Sequence, residues 1–525
     1  MSAGEGEELL FDGEDVRVRV RLQPRSRDLV VTFTGRSSKP PVPKGFGEDF
    51  LAKRGVSAIH FISKANHWWQ TPETDEAVAL IKARGLLEGH ERITLYGSSM
   101  GGFASMIQSR ELGADHILVV SPQYSIDGAK VPFEKRWRGY AAALSFDHDD
   151  MPAGLDEGAT LSAVVDPFFP PDMAHVRLIQ RLRPVSLIPV SFAGHNTARV
   201  LEECGLMQRS LEALIDGRFD PAAFRTDYRQ RRTEASLFWF GLAEALISRG
   251  RDAWAGGAAA IAADMTVKNA RMRDQALRSE ILRLGIRTAV ARRDRASAAA
   301  WTEALKGIDT RKSVTLLAEA MLAALDDDHQ AALEAAKRVR VERPRDADAA
   351  ALAIDAMVRA GEVERAARLG SKVGPVQRRV GAVQLSIGRA QLAAGDAAGA
   401  RETLQHAHRR GVAPPGALVL LAKDLVDRGK GPSAQKLLAP VIAGTLVDAE
   451  ERETAYATAR RVGLKAEAER FRRRCARADA LYEAVLATLP RIDPAAPNAS
   501  AGRVVAWTAA HLAQARRPAQ AARPA

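Results

Sequence analysis

The chain has 525 residues, 46% hydrophobic and 27% charged, with a formal net charge of +12. That length predicts two or three domains, and the composition is that of a soluble globular protein. The positive charge is spread through Ala/Arg-rich sequence rather than gathered in one block, which favours a solvated helix face over a nucleic-acid surface.

The two cysteines, Cys204 and Cys475, lie far apart with no metal-ligand spacing. A disulfide framework and a zinc site are therefore disfavoured, and reduced thiols suit a cytoplasmic protein. The acidic start, MSAGEGEELLFDGED, lacks the apolar core of a signal peptide, and residues 1–15 read as a tail. No run of 18 apolar residues occurs, so no membrane-spanning helix is expected.

Residues 16–22 (VRVRVRL) alternate with period two, the pattern of an exposed edge strand. Residues 28–34 (DLVVTFT) and 57–63 (SAIHFIS) are nearly continuous apolar runs, as in strands buried on both faces. Helical patterns at 50–54 and 73–87 follow them. Between 92 and 105 the chain reads RITLYGSSMGGFAS: a strand, a sharp turn and a helix, with Gly-x-Ser-x-Gly at the turn. Gly97 and Gly101 leave room for helix and strand to pass closely, and Ser99 stands at the tip of the turn. Further strands are predicted at 116–120, 160–165 and 186–192, with a longer irregular insert over 123–158 in the position of a lid. Buried strands alternating with helices predict an α/β domain, a doubly wound and mostly parallel sheet over residues 16–217.

Ligands of such sheets sit beyond the carboxyl ends of the strands. Three strand ends carry the groups of a serine nucleophile: Ser99, then Asp166 closing its strand before Pro167, then His195 in Gly194-His195-Asn196. Serine needs a base, and the base needs a carboxylate to fix its tautomer. Asp172 rivals Asp166 for the acid, and Ser98 is a weaker nucleophile because it is not central in the turn. His67, Trp68 and Trp69 follow the strand at 57–63 at the same edge. They read either as an aromatic wall for a sugar ring or acyl chain or as packing beneath the loop. Lys130, Lys135, Arg136 and Arg138 in the insert read either as a preference for an anionic substrate or as solvated charge. The acids of FDHDD (147–150) read as a solvated loop rather than a metal site, and no cofactor or metal is expected.

With Gly97-Ser98-Ser99-Met100-Gly101 as elbow, Asp166 as acid and His195 as base, residues 16–217 resemble a compact α/β-hydrolase. The resemblance implies acyl or ester hydrolysis, with an oxyanion held by the N–H of Met100 and a second N–H from Gly35 or Arg36. The HGGG run of lipases is missing. An acyltransferase using the same triad, and a scaffold that retains the fold without the chemistry, are the alternatives.

Residues 218–232 read as a linker, and beyond 233 strand signals give way to amphipathic helices. Gly361, Gly395, Gly429 and Gly463 are spaced by 34 residues, and stepping back reaches Asp327 and Arg293. Five residues after each stands an alanine: Ala298, Ala332, Ala366, Ala400, Ala434 and Ala468. Gly250 with Ala255 suggests a seventh, offset unit. A 34-residue helix-turn-helix period resembles degenerate tetratricopeptide repeats, predicting an all-α solenoid over 233–489. Its groove is expected to hold a protein or peptide partner. Residues 490–525 read as an Ala/Pro/Arg-rich tail with a short helix at 504–515.

Overall fold

The structure, a computed structural model, describes residues 8–37, 39–249, 251–268, 274–309 and 311–489. Gly250, the 504–515 helix and the tail beyond 489 lie outside the described residues. The chain divides into two compact units, Met1–Phe238 and Trp239–Ala525.

The first unit is built on an eight-stranded sheet of order β1-β2-β4-β3-β5-β6-β7-β8. The strands are β1 (Glu8–Asp12), β2 (Val16–Arg21), β3 (Asp28–Phe33), β4 (Ser57–Ser63), β5 (Arg92–Ser98), β6 (His116–Val120), β7 (Thr160–Val165) and β8 (Ser186–Pro189). In sheet order from β4 to β8 all neighbours are parallel, while β2 runs antiparallel to both of its neighbours, β1 and β4. All seven residues of β4 are buried, which the unbroken apolar run requires. The polar pair within that core satisfies itself: Thr32 Oγ1 lies 2.7 Å from His60 Nδ1. Burial pushes the His60 imidazole down to about 4, so it stays neutral.

The structure departs from the sequence expectation in two places. β2 is not the edge strand, because β1 forms outside it, within the stretch read as tail. Leu10 and Phe11 of β1 pack on the core, so the acidic flanks of that segment mask a strand. Residues 218–232 are not a plain linker but carry a helix, Pro221–Arg231. Asp220 caps it, accepting from Ala222 N–H at 2.7 Å. Phe224 and Tyr228, one turn apart, are buried, and the Tyr228 hydroxyl donates to Ser191 O at 2.7 Å.

The second unit is a repeat array of helical hairpins. Gly361, Gly395, Gly429 and Gly463 all turn with φ between +73° and +86°, the left-handed conformation that glycine adopts without strain. Arg293 and Asp327, at the two positions reached by stepping back 34 residues, have the same hand with φ of 57° and 58°. The six in-phase alanines are no more than 1% exposed, set where paired helices approach most closely. At three of the six turns the next residue is an aspartate (Asp294, Asp328, Asp396) whose carboxylate caps the following helix.

The array does not remain an open stack. Its long last helix, Lys465–Thr488, packs back against Asp252–Lys268 at the start of the unit. Asp479 on that helix binds Arg292 at 3.1 Å and Arg452 at 2.6 Å, and the Tyr482 hydroxyl donates to Asp294 at 2.9 Å. The Arg292 guanidinium lies 4.3 Å above the Tyr482 ring. Among the described residues no helix is long and apolar enough to cross a membrane.

Candidate functional site

The parallel register aligns the carboxyl ends of β3 to β8, with Phe33 beside Gly97, Ser98 beside Val120, and Val165 beside Pro189. The backbone is unusual along this edge. Trp68, Trp69, Ser99, Ser121 and Phe192, which follow β4, β5, β6 and β8, all have positive φ without being glycine. Such residues cost about 1–3 kcal/mol each and persist only where the surroundings impose them.

Ser99 has φ 53° and ψ −114° and caps the Met100–Ile107 helix. The two flanking glycines are sterically obligatory. A Cβ on Gly97 would lie 2.2 Å from Gly101 O, and one on Gly101 would lie 2.2 Å from Phe33 O. Both obstacles are backbone atoms. The loop after β3 also presses on this turn, since a Cβ on Gly35 would lie 2.9 Å from Ser98 O. Gly35 and Arg36 therefore sit beside the elbow on the β3 side, and Met100 follows Ser99 as the first residue of its helix.

The Ser99 hydroxyl lies 2.9 Å from His195 Nε2. On the other side of the ring, His195 Nδ1 lies 2.8 Å and 3.0 Å from the two carboxylate oxygens of Asp172. A carboxylate accepting there holds the proton on Nδ1 and leaves Nε2 to accept from the serine.

The carboxylate facing His195 is thus Asp172, not Asp166. Asp166 accepts from the backbone N–H groups of Phe168 and Gly194, each at 2.9 Å, and so pins the loop that carries His195. Burial pushes its carboxyl above the usual range, opposed by those backbone donors. Strand β7 stops at Val165, and Pro170 opens the next helix, Pro170–Leu182, placing Asp172 in the first helical turn. The turn Asp-Pro-Phe-Phe-Pro-Pro moves the acid six residues along the chain.

Asp172 is fully buried and anchors a chain of charges. Arg136 of the insert donates to Asp172 Oδ1 at 2.9 Å and grips Glu134 through Nε and a terminal nitrogen. Glu134 Oε2 meets His175 Nε2 at 3.0 Å, while His175 Nδ1 accepts from Tyr124 N–H at 3.2 Å. With Nδ1 accepting, the ring faces Glu134 with Nε2 as the donor. Burial alone would raise the Glu134 carboxyl, but His175 and Arg136 hold it well below the usual range.

One further group stands beside Ser99. Gln123 follows β6 and is fully buried, with its side-chain oxygen 3.5 Å from the Ser99 hydroxyl. That oxygen accepts from Trp68 Nε1–H at 2.8 Å, which fixes the amide's orientation, because the flipped amide would set donor against donor. The Gln123 Nε2 is consequently left without a partner. Nothing in the sequence marked Gln123; only its place one strand over from the elbow could have.

The tryptophans after β4 do not form an open wall. Trp69 stands edge-on to Phe33 at 5.2 Å inside the core, and His67 bonds Ser63 Oγ at 3.0 Å and Trp69 N–H at 3.0 Å. Trp68 is 1% exposed, covered by Trp137 and Tyr140 of the insert. The aromatic ring beside the site is instead Trp137, whose centroid is 5.8 Å from the His195 ring. Among the described residues no group of three or more metal-ligating side chains is assembled.

No protein-family model matches the chain, and no curated protein does. Several solved structures are similar at low level, among them the following two. The capsule O-acetyltransferase of Neisseria meningitidis serogroup A is 12% identical, spanning 39% of this chain and 93% of its own, with a TM-score of 0.31. A chain of the APC/C hetero-tetramer Cut9-Hcn1 is 12% identical, spanning 59% of this chain and 65% of its own, with a TM-score of 0.34. At such scores neither likeness bears on the chemistry at Ser99.

Proposed function

We propose that the first unit is a serine hydrolase of the α/β-hydrolase type acting on acyl esters, with Ser99, His195 and Asp172 as its triad. The observation that carries the reading is the unbroken chain of hydrogen bonds from the Ser99 hydroxyl through His195 to the buried Asp172 carboxylate. Ser99 attacks the acyl carbon and passes its proton to His195 Nε2. The tetrahedral oxyanion is received by the Met100 N–H and an N–H of Gly35 or Arg36. His195 then gives the proton to the departing alkoxide, leaving an acyl-Ser99. Water attacks that ester with His195 again as base, releasing the carboxylic acid and restoring the serine. Asp172 steadies the imidazolium formed in both halves.

Gln123 accepts from Trp68 Nε1–H at 2.8 Å, and the same oxygen stands 3.5 Å from the Ser99 hydroxyl, a second polar neighbour of the nucleophile besides His195. The repeat unit is assigned to recruitment of a protein partner, on the strength of its stacked helical hairpins.

The test is steady-state hydrolysis of a short-chain aryl ester. Ser99→Ala and His195→Ala each reduce kcat by about 10³-fold or more while thermal unfolding is unchanged. Turnover that survives both substitutions sinks the assignment.

A further inference from the structure

Two arginines flank the same indole in the first unit, and their electrostatic situations differ. Arg136 lies 5.7 Å from the Trp137 ring centroid and is neutralised by two buried carboxylates, Glu134 and Asp172. Arg36 lies 5.3 Å from that centroid, is exposed to solvent, and has no carboxylate partner among the described residues. It is nevertheless not a freely waving surface charge. The indole face holds its guanidinium, and the preceding Gly35 is packed against the elbow. Trp137 in turn sits 5.8 Å from His195, ring to ring. An uncompensated, oriented cation therefore stands at the edge of the cluster that contains the Ser99 hydroxyl.

We infer that Arg36 is a specificity residue for an anionic group on the ester, a carboxylate or phosphate a few bonds from the scissile carbonyl. This inference rests on the hydrolase reading. A guanidinium offers parallel N–H donors that match both oxyacids, and Trp137 both positions it and lowers the local dielectric. Lys135 and Arg138, exposed on the same insert, add potential of the same sign. The other cation of the insert considered above, Lys130, is committed to Asp149 at 3.1 Å.

The experiment compares matched neutral and anionic esters on the full chain. For the acyl side the pair is 4-nitrophenyl hexanoate and the mono-4-nitrophenyl ester of adipic acid; for the alcohol side it is phenyl acetate and 3-acetoxybenzoate. In at least one pair the anionic member has the higher kcat/KM, by about tenfold at low salt. In Arg36→Gln that ratio falls towards one, and in Arg36→Lys it is partly kept. The pair that responds tells which side of the ester carries the charge. Equal turnover within both pairs, or a ratio unchanged in Arg36→Gln, overturns the role of Arg36 and leaves the hydrolase reading standing. Absence of Ser99-dependent turnover with all four esters overturns both.

Discussion

Left-handed backbone occurs in both units, and in the first it falls on several non-glycine residues as well as on glycines. In the repeat unit the turns at 361, 395, 429 and 463 use glycine, which adopts that hand freely. At the carboxyl edge of the sheet the same hand falls on Trp68, Trp69, Ser99, Ser121 and Phe192, none of them glycine and two of them tryptophan. The glycine turns of the repeats are relaxed, whereas the non-glycine residues at the sheet edge hold strain along a single line of loops. Strain gathered around a serine, a histidine and a buried carboxylate is what a preorganised site requires, whereas a stacked array needs only cheap, repeatable reversals. The repeat unit departs from its own rule at Arg293 and Asp327.

The elbow separates the two kinds of turn most strongly. Gly101→Ala sets a methyl 2.2 Å from Phe33 O, a backbone atom that cannot yield. Ester turnover is expected to vanish and thermal unfolding to move down by several degrees, whereas Gly395→Ala, with nothing within 4 Å of its Cβ, leaves turnover intact. Equal effects of the two substitutions on activity would erase the distinction between the units.

Next in size is the carboxylate. Asp172→Asn is expected to lower kcat about 10³- to 10⁴-fold by spoiling the imidazole tautomer. Asp166→Asn, acting through the loop that carries His195, costs an order of magnitude less. Comparable losses would mean that loop position and tautomer control are not separable here.

Arg136 comes third. It shares Asp172 Oδ1 with His195, so in the proposed triad its positive charge competes for the carboxylate that would stabilise the imidazolium. Arg136→Gln is expected to raise the pKa of the acid limb of kcat/KM and to lower the plateau, and Arg136→Lys to restore part of both. An unmoved acid limb would reduce Arg136 to a purely structural tie.

Glu134 offers a stability readout. Its folded-state pKa is depressed, so the ionised carboxylate contributes stability above its ordinary value of 4.5, and that contribution is lost as pH falls below it. The difference in unfolding free energy between the wild type and Glu134→Gln is therefore largest near neutrality and shrinks into acid. A difference that grows on acidification would contradict the charged network. The smallest effect belongs to the repeat turns: Asp327→Gly is expected to stabilise by about 0.5 kcal/mol, because glycine takes φ 58° without strain.

The repeat register was legible from subtraction alone, because a period of 34 leaves the same small residue in each helix contact. The strand sequence of the first unit was legible as well, through its unbroken apolar runs and the Gly-x-Ser-x-Gly turn. Asp172 was visible only as a rival. Strand-end position favours Asp166, and nothing local reveals that two backbone N–H groups already occupy Asp166. β1 was lost for a similar reason, since ELLFD lies between acidic residues and reads as tail until its partner strand is known. Gln123 is a contact across strands, and the tryptophans were ambiguous because burial and ligand stacking ask for the same residue type. What escaped the sequence depends on which groups meet in the folded chain, a tertiary question.

In the proposed hydrolase Ser99 is activated by His195 under the hold of Asp172. The most direct measurement is the rate of covalent labelling by a fluorophosphonate probe, for the wild type, Ser99→Ala, Asp172→Asn and Asp166→Asn. Labelling is expected in the wild type at Ser99, with none in Ser99→Ala, a severe loss in Asp172→Asn and a milder one in Asp166→Asn. A folded wild type that does not label, or labelling that survives in Asp172→Asn while it is lost in Asp166→Asn, would contradict it.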